Sequence, residues 1–232
     1  NLFIPSSFSE DIIKHKYIAW LNLTWSELAW SAVWALAWKY LKPSVLELWW
    51  NDAFLVLDDS DINKVVELAV NWRTRNWWQA CNSSKRFLIP SNIYKEFVEK
   101  YSKAMSELIV WNPMDEKTQI QPMSSEKSLI DIESQIQRAV NSWAKITTWW
   151  KRLDTKWYFF APTVLANVTK ETSSFNEEIF GTVASVMKYN SIDEAINLAN
   201  WTDFWLSAVV VGNDETKAIE IWKKLDGWMI FI

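Results

Sequence analysis

The stretch YIAWLNLTWSELAWSAVWALAWKYLKPSVLEL, residues 17–48, decides the fold class. It opens with the apolar, β-prone segment YIAWLNLT and continues with SELAWSAVWALAWKYL, which is rich in helix-forming residues. It ends in SVLEL, a second short apolar segment. A strand, a helix and a strand in this order are typical of chains in which helices connect the strands of one sheet. The stretch therefore predicts an α/β fold.

The same alternation continues to the end of the chain. Apolar residues at helical spacing predict amphipathic helices after Asp61, around Phe97 and around Leu129. Ser191, with Glu194 three residues later, predicts a capping box at the start of another helix. We therefore expect a parallel or mixed sheet. The further strand candidates are AFLVL (53–57), LSAVVV (206–211) and WMIFI (228–232).

Length, composition and charge exclude several classes of protein. The 232 residues are 50% hydrophobic and 22% charged, which is enough to bury a core in one large domain or in parts of two. The net charge of -4 gives no electrostatic reason to bind nucleic acid or anionic lipid. No apolar run reaches the roughly 18 residues that span a bilayer, and one cysteine cannot form an intramolecular disulfide. The sequence predicts a cytoplasmic protein without nucleic-acid or membrane partners.

The content of tryptophan and glycine is abnormal. The chain has 19 Trp and 3 Gly, whereas glycine ordinarily makes up about 7% of residues. Many of the tryptophans stand where turn chemistry favours glycine, as in ELWWND, TTWWKR and LDGWMI. Two explanations are favoured over a naturally Trp-rich protein. Either tryptophan replaces glycine nearly throughout, or the letters do not report the residues of the molecule.

The segment NWWQACNSSKR, residues 76–86, contains Cys81, the only cysteine of the chain. A lone cysteine is most often a small buried hydrophobe. A thiolate nucleophile instead needs access and a polar or electropositive setting, which the neighbouring polar residues and the cations Lys85 and Arg86 supply. Residue types alone leave both interpretations open. His15 has no role that we can name, and no Cys, His or Asp spacing predicts a metal site.

With glycine at the Trp positions, the motifs in LTWSELAW, LELWW, NWWQACNSSKR and EEIFGTV make the chain resemble the aldehyde dehydrogenase superfamily. LTWSELAW becomes a Thr-Gly-Ser turn with a second Gly, LELWW becomes Glu-Leu-Gly-Gly, and NWWQACNSSKR becomes the Gly-Gln-x-Cys segment. EEIFGTV matches the Glu-x-Phe-Gly-Pro motif, and YFFAPTVL and WLSAVV match further segments. All 19 Trp fall where the family has, or readily takes, glycine. The resemblance covers nearly the whole chain and is closest to the succinate-semialdehyde dehydrogenase branch in ELWWNDAF and CNSSKRF.

The resemblance implies two domains and a covalent mechanism. Residues 1–48 would be the carboxy-terminal part of a Rossmann-type NAD(P)-binding domain, and residues 49–232 the α/β catalytic domain. Cys81 would attack the aldehyde carbon, hydride would leave to the nicotinamide, and a thioester would remain. Glu47 would then be the general base for the water that releases the acid. Without the resemblance, Glu47 is more simply a strand-end carboxylate in solvent.

The resemblance also implies how NAD or NADP is bound. Glu178 and Phe180 match residues that hold the nicotinamide ribose and ring. A Gly-rich turn between a strand and a helix lets backbone N–H groups approach a pyrophosphate, so an indole in that turn would fill the space of the cofactor. The alternative to a pyrophosphate-binding turn is that TWSELAW is an ordinary helix start. The other cofactor-binding positions implied are Trp25, Ser26, Trp30 and Leu48.

Three functions follow from these observations. The first is oxidation of a small aldehyde by the carboxy-terminal half of a dehydrogenase that is a homo-oligomer when complete, with the residue that distinguishes NAD from NADP lying before residue 1. The second is a truncated or Trp-substituted scaffold without turnover. The third is an aromatic-rich module that binds sugars or lipid interfaces through exposed indoles.

Overall fold

The computed structural model describes residues 5–25, 27–47, 50–153, 157–202 and 206–232. Contacts within the chain divide it into two units, residues 1–49 and residues 50–232. We call them the amino-terminal unit and the carboxy-terminal unit.

The amino-terminal unit is built on one strand-helix-strand element. Strand β1 is Leu21–Thr24 and strand β2 is Ser44–Glu47, and they pair in parallel. A short helix, α1 (Ser9–Ile13), precedes them, and α2 (Glu27–Lys39) connects them. The order confirms the prediction from residues 17–48, although β1 begins four residues later than the apolar segment does.

In the carboxy-terminal unit, the described residues form a seven-stranded sheet with the strand order β5-β6-β7-β4-β3-β8-β9. Every neighbouring pair is parallel except β5 and β6, which are antiparallel. The predicted α/β fold with a parallel or mixed sheet is therefore confirmed. The strands are β3 (Ala53–Val56), β4 (Arg86–Pro90), β5 (Lys145–Ile146), β6 (Thr163–Ala166), β7 (Val183–Tyr189), β8 (Ser207–Val211) and β9 (Met229–Phe231).

Alternating side chains of the strands divide the core into two layers. Phe54 and Val56 of β3 point to one face of the sheet, and Leu55 and Leu57 point to the other. Helices α3 and α4 cover the first face, and α5, α7 and α8 cover the second. A parallel sheet covered on both faces needs strands that are apolar throughout, as β3 is. The helices of this unit are α3 (Ile62–Thr74), α4 (Tyr94–Ser106), α5 (Glu126–Asn141), α6 (Ser173–Asn176), α7 (Ile192–Ala199) and α8 (Glu215–Trp222).

The helix starts follow the predicted capping residues with one difference. Asp61 caps α3 by accepting a hydrogen bond from the backbone N–H of Asn63 at 2.9 Å, and the hydroxyl of Ser191 accepts from the N–H of Glu194 at 3.2 Å. The capping box is nevertheless incomplete, because the Glu194 carboxylate accepts from the N–H of Asn190 at 2.7 Å rather than from that of the cap residue.

Candidate active site

Three loops of the carboxy-terminal unit meet at the amino-terminal edge of the sheet. They precede β3, β4 and β7, which are neighbouring parallel strands, so the three strand starts lie side by side. The carbonyl of Asp52 accepts from the N–H groups of Lys85 and Arg86 at 3.1 and 3.2 Å. The N–H of Ser185 donates to the carbonyl of Lys85 at 2.9 Å. Backbone hydrogen bonds therefore connect the loops before β3 and β4 to each other and to strand β7.

Cys81 lies in the loop between α3 and β4, and its side chain is exposed. The loop follows residues 75–78, among which Asn76, Trp77 and Trp78 have a left-handed backbone. Within the loop, the N–H of Ser83 donates to the carbonyl of Ala80 at 3.1 Å. The Nζ of Lys85 donates to the carbonyl of Cys81 at 2.6 Å. An exposed thiol on an internally bonded turn is suited to attack a ligand from solvent. The structure therefore does not support the buried-hydrophobe interpretation of Cys81.

Glu178 and Phe180 lie in the loop between α6 and β7, next to the Cys81 loop. The Oε1 atom of Glu178 lies 3.2 Å from the Nζ of Lys85 and accepts from the backbone N–H of Trp50 at 3.2 Å. The ring of Phe180 is exposed and meets the indole of Trp78 edge to face, with 5.9 Å between centroids. The structure thus brings the segments that contain Cys81, Glu178 and Phe180 to one place.

The two cations after Cys81 are buried, which the sequence analysis did not anticipate. Arg86 donates to the carbonyls of Leu198 and Ala199, at 2.6 and 2.9 Å, at the end of α7, where a cation is favoured by the helix dipole. Burial lowers the pKa of Arg86 to about 10. Of the two cations, Lys85 contacts Cys81, through the carbonyl of that residue, whereas Arg86 contacts the end of α7.

Arg73 of α3 is a site residue that the sequence analysis missed. Its guanidinium donates to the hydroxyl of Ser83 at 2.8 Å, to the carbonyl of Val183 at 2.6 Å and to the carbonyl of Gly181. It is fully buried, and burial lowers its pKa to about 10. Arg73 therefore connects the Cys81 loop to the loop before β7. Arg73 lies four residues after Ala69, on the apolar face of α3. This spacing could have predicted from the sequence that Arg73 is buried.

The other expected site residues belong to the amino-terminal unit. Trp25 follows β1 directly, and its N–H donates to the carbonyl of Glu47 at 3.3 Å. Glu47 ends β2 and is half-buried, and Trp30 lies in α2 with its indole stacked on Trp34 at 5.7 Å. The remaining two expected cofactor-binding residues, Ser26 and Leu48, lie outside the described residues.

The part of the chain that the structure describes contains no group of three or more His, Cys, Asp or Glu side chains that could hold a metal ion. Within the same residues, no helix has both the length and the apolar character that a membrane crossing requires.

His15 is exposed, and its Nδ1 accepts from the N–H of Tyr17 at 3.3 Å.

Most of the described tryptophans are exposed, and three of them have a backbone that favours glycine. Of the 17 that the structure describes, 13 are exposed, although Trp is ordinarily among the most buried residues on average. Three of them have a left-handed backbone, with φ of 55° at Trp77, 71° at Trp78 and 74° at Trp143. Glycine adopts this conformation readily, whereas a bulky residue does so only under strain. The backbone therefore supports glycine at these three positions.

Comparison with known proteins agrees with this architecture. The sequence profile of the aldehyde dehydrogenase family matches residues 3–232. The chain is 36% identical over 232 residues to "Succinate-semialdehyde dehydrogenase [NADP(+)] 1" of Mycobacterium ulcerans, covering 100% of this chain and 51% of that protein. It is 35% identical to "Succinate-semialdehyde dehydrogenase [NADP(+)]" of Deinococcus radiodurans, covering 100% of this chain and 49% of that protein.

The solved structures give the same result. The crystal structure of succinic semialdehyde dehydrogenase from Streptococcus pyogenes in complex with NADP+ superimposes with a TM-score of 0.92 at 32% identity, covering 100% of this chain and 51% of that one. The chain spans about half the length of the curated relatives it matches. Because the family profile, the relatives and the fold all agree over its whole length, the chain belongs to the aldehyde dehydrogenase family.

Proposed function

We propose that this chain is the carboxy-terminal half of an NAD(P)-dependent aldehyde dehydrogenase that oxidises a small aldehyde, such as succinate semialdehyde, to the carboxylic acid. In this proposal residues 1–48 complete the cofactor-binding domain and residues 49–232 form the catalytic domain. The observation that carries it is the exposed Cys81 in a loop that Lys85 connects to Glu178, beside the exposed ring of Phe180. The names of the relatives support the substrate and NADP.

The residues that would hold the cofactor suit its ribose and nicotinamide. The Nζ of Lys85 and the N–H of Trp50 both contact Oε1 of Glu178. Oε2 can therefore accept hydrogen bonds from ribose hydroxyls. The exposed ring of Phe180 offers an apolar face to a planar ring. Helix α2 begins at Glu27, and the free backbone N–H groups at a helix start favour a pyrophosphate. Trp25 precedes that helix start and is 68% exposed, and glycine there would open the approach.

Cys81 would form and then release the covalent intermediate. Its thiolate attacks the aldehyde carbon, a C–S bond forms, and the carbonyl π electrons move to oxygen. NAD or NADP, when bound, accepts the hydride that leaves this carbon. The C=O bond reforms, and the product on Cys81 is a thioester. The exposure of the thiol and the hydrogen bond from Lys85 to the Cys81 carbonyl keep the nucleophile accessible on an ordered loop.

Glu47 would activate the water that hydrolyses the thioester. The carboxylate takes a proton from water, the hydroxide oxygen bonds to the thioester carbon, and the C–S bond breaks to return the Cys81 thiolate. The acid product then leaves. This step requires that one water reach both the Glu47 carboxylate and the thioester carbon in the working enzyme.

Two substitutions test the proposal in the full-length protein. Cys81→Ala is expected to abolish NADP+ reduction by succinate semialdehyde, because the covalent step is lost. Glu47→Gln is expected to leave a burst of NADPH followed by a slow steady state, because only thioester release is slowed. The matched control is Glu67→Gln, an exposed carboxylate of α3, which should behave as the unchanged protein. Undiminished turnover by Cys81→Ala would show that the mechanism is wrong.

The exposed indoles favour one other function, an aromatic-rich binding module. They stand singly or in pairs at turns and helix surfaces, where indoles can contact sugars or lipid interfaces. Binding of oligosaccharides or vesicles without NADP+ reduction would support this alternative. Absence of both binding and turnover would support the scaffold without activity.

A further inference from the structure

Lys85 is a buried cation whose backbone is held on both sides. Its N–H donates to the carbonyl of Asp52 before β3, and its carbonyl accepts from Ser185 of β7. The residue therefore lies between two neighbouring strands at the start of β4. Because hydrogen bonds fix the backbone of Lys85 on both sides, its ammonium group has little freedom to move.

The ammonium group of Lys85 bridges two loops that the proposed function uses. It lies 2.6 Å from the carbonyl oxygen of Cys81 and 3.2 Å from Oε1 of Glu178. The side chain of Lys85 is 4% exposed and that of Glu178 is 16% exposed, so solvent screens this pair much less than a surface pair. Burial lowers the pKa of Lys85, while the negative charges of Glu178 and Asp52 oppose that change.

The contacts of Glu178 are arranged on one side of its carboxylate. Lys85 and the backbone N–H of Trp50 both contact Oε1. Two donors from different loops hold Oε1 and so orient the carboxylate, which leaves Oε2 to accept from a ligand. Without Lys85, the N–H of Trp50 would be the remaining contact among those described, and one hydrogen bond does not fix the rotation of a carboxylate.

We propose that Lys85 is a positioning residue: it orients Glu178 for the ribose of the cofactor and fixes the Cys81 loop beside it. The inference rests on the proposed function and adds a residue to it. Lys85 touches neither the reacting carbon nor the sulfur, and it acts through Glu178 and through the backbone of the Cys81 loop.

The test is a double-substitution cycle with NADP+ as the probe, measured by calorimetry in the full-length protein. Lys85→Met keeps the length of the side chain and removes the charge. We expect it to raise the Kd for NADP+ about tenfold, since a charge-assisted contact is lost. In a Glu178→Gln background, Lys85→Met should have little further effect, because its action on the cofactor passes through Glu178. Hydrogen exchange in residues 79–84 should become faster in Lys85→Met without any cofactor.

The controls separate positioning from general destabilisation. Lys217→Met breaks an exposed pair with Asp58 at 2.5 Å and should leave the Kd unchanged. Lys85→Gln, which is neutral but still a donor, should raise the Kd as well and replaces Lys85→Met if that variant does not fold. A Kd like that of the unchanged protein, or an effect that adds in full to that of Glu178→Gln, overturns the inference while the dehydrogenase proposal stands. Unchanged protein that binds no NADP+ contradicts the proposed function itself.

Discussion

Trp77 and Trp78 have a backbone conformation that favours glycine. Both have positive φ, 55° and 71°, immediately before the Cys81 loop. The left-handed conformation costs a residue with a side chain about 1–2 kcal/mol, and with Asn76, whose φ is 49°, three such residues are consecutive. The indole N–H of Trp78 also has only a weak contact, 3.5 Å from the carbonyl of Gln121. Glycine would adopt the positive φ at positions 77 and 78 without strain, whereas tryptophan adopts it only with strain.

We predict that both positions are glycine in the protein isolated from its natural source. Trypsin should release residues 76–85 as one peptide, because Arg75 and Lys85 flank it. Its mass should correspond to glycine at positions 77 and 78, and it should lack indole absorbance. Over the whole chain, the mass should be kilodaltons below the 27.3 kDa that the sequence implies. A peptide with the mass of two tryptophans would contradict the prediction.

Single residues also explain why the candidate site was only partly predictable. Cys81 and Glu178 are recognisable from their motifs, and the structure brings their loops together. Arg73 and Lys85 are equally close to the site, but a cation in a sequence is ordinarily read as a solvated residue. Whether it is buried depends on the carbonyl and carboxylate groups that surround it, and these come from distant parts of the chain.

Helix α5 ends in a Schellman motif with Trp143 in the position that favours glycine. The N–H of Ala144 donates to the carbonyl of Ala139 at 3.0 Å, and the N–H of Trp143 donates to that of Val140 at 3.1 Å. Trp143 has φ of 74° and is 89% exposed, so its indole makes little contact that could offset the backbone strain. The hydrogen bonds of this helix end require the left-handed residue, whatever its side chain is.

We predict that Trp143→Gly raises the free energy of unfolding by about 1 kcal/mol, because glycine relieves the left-handed strain. The matched control is Trp34→Gly in the interior of α2, where the backbone is helical. There glycine should lower the stability of the helix by about 1 kcal/mol. Urea unfolding measures both. The explanation of Trp143 fails if the two substitutions change the midpoint in the same direction.

Among the residues that the structure describes, the core clusters of the carboxy-terminal unit consist of residues of that unit. Both core clusters lie between Ala53 and Phe231, and both faces of the sheet are covered by helices of the same unit. A unit that contains its own core satisfies the usual condition for independent folding. The amino-terminal unit, in contrast, has a two-stranded sheet, and such a sheet is marginal by itself.

We predict that a fragment of residues 50–232 folds without residues 1–49. Its near-ultraviolet circular dichroism should show ordered aromatic side chains, and urea should unfold it in one cooperative transition. A fragment that binds the dye ANS and lacks near-ultraviolet signal would be a molten globule and would contradict independent folding. The fragment should also have no aldehyde oxidation, because it lacks residues 1–48, which the proposed function assigns to the cofactor-binding domain.

The sequence by itself determined the element order wherever the pattern was clear. The strand-helix-strand unit of residues 17–48, β3, β8, β9 and the amphipathic helices α3 to α5 were all predicted from local patterns. Strands β4, β6 and β7 were not identified as strands. β3 is buried on both faces as well, but it is a continuous apolar run. Charged or polar residues interrupt the other three: Arg86 begins β4, Thr163 begins β6, and β7 contains Lys188.

Only the tertiary structure decided which loops meet. Trp50 and Glu178 are 128 residues apart in sequence and share a hydrogen bond, because β3, β4 and β7 are neighbours in the sheet. Periodicity shows which face of a strand is buried, but it does not show which strand lies beside it. The residue types of the candidate site are therefore determined by the sequence, whereas the contacts of Lys85 and Arg73 with those residues follow from the strand order.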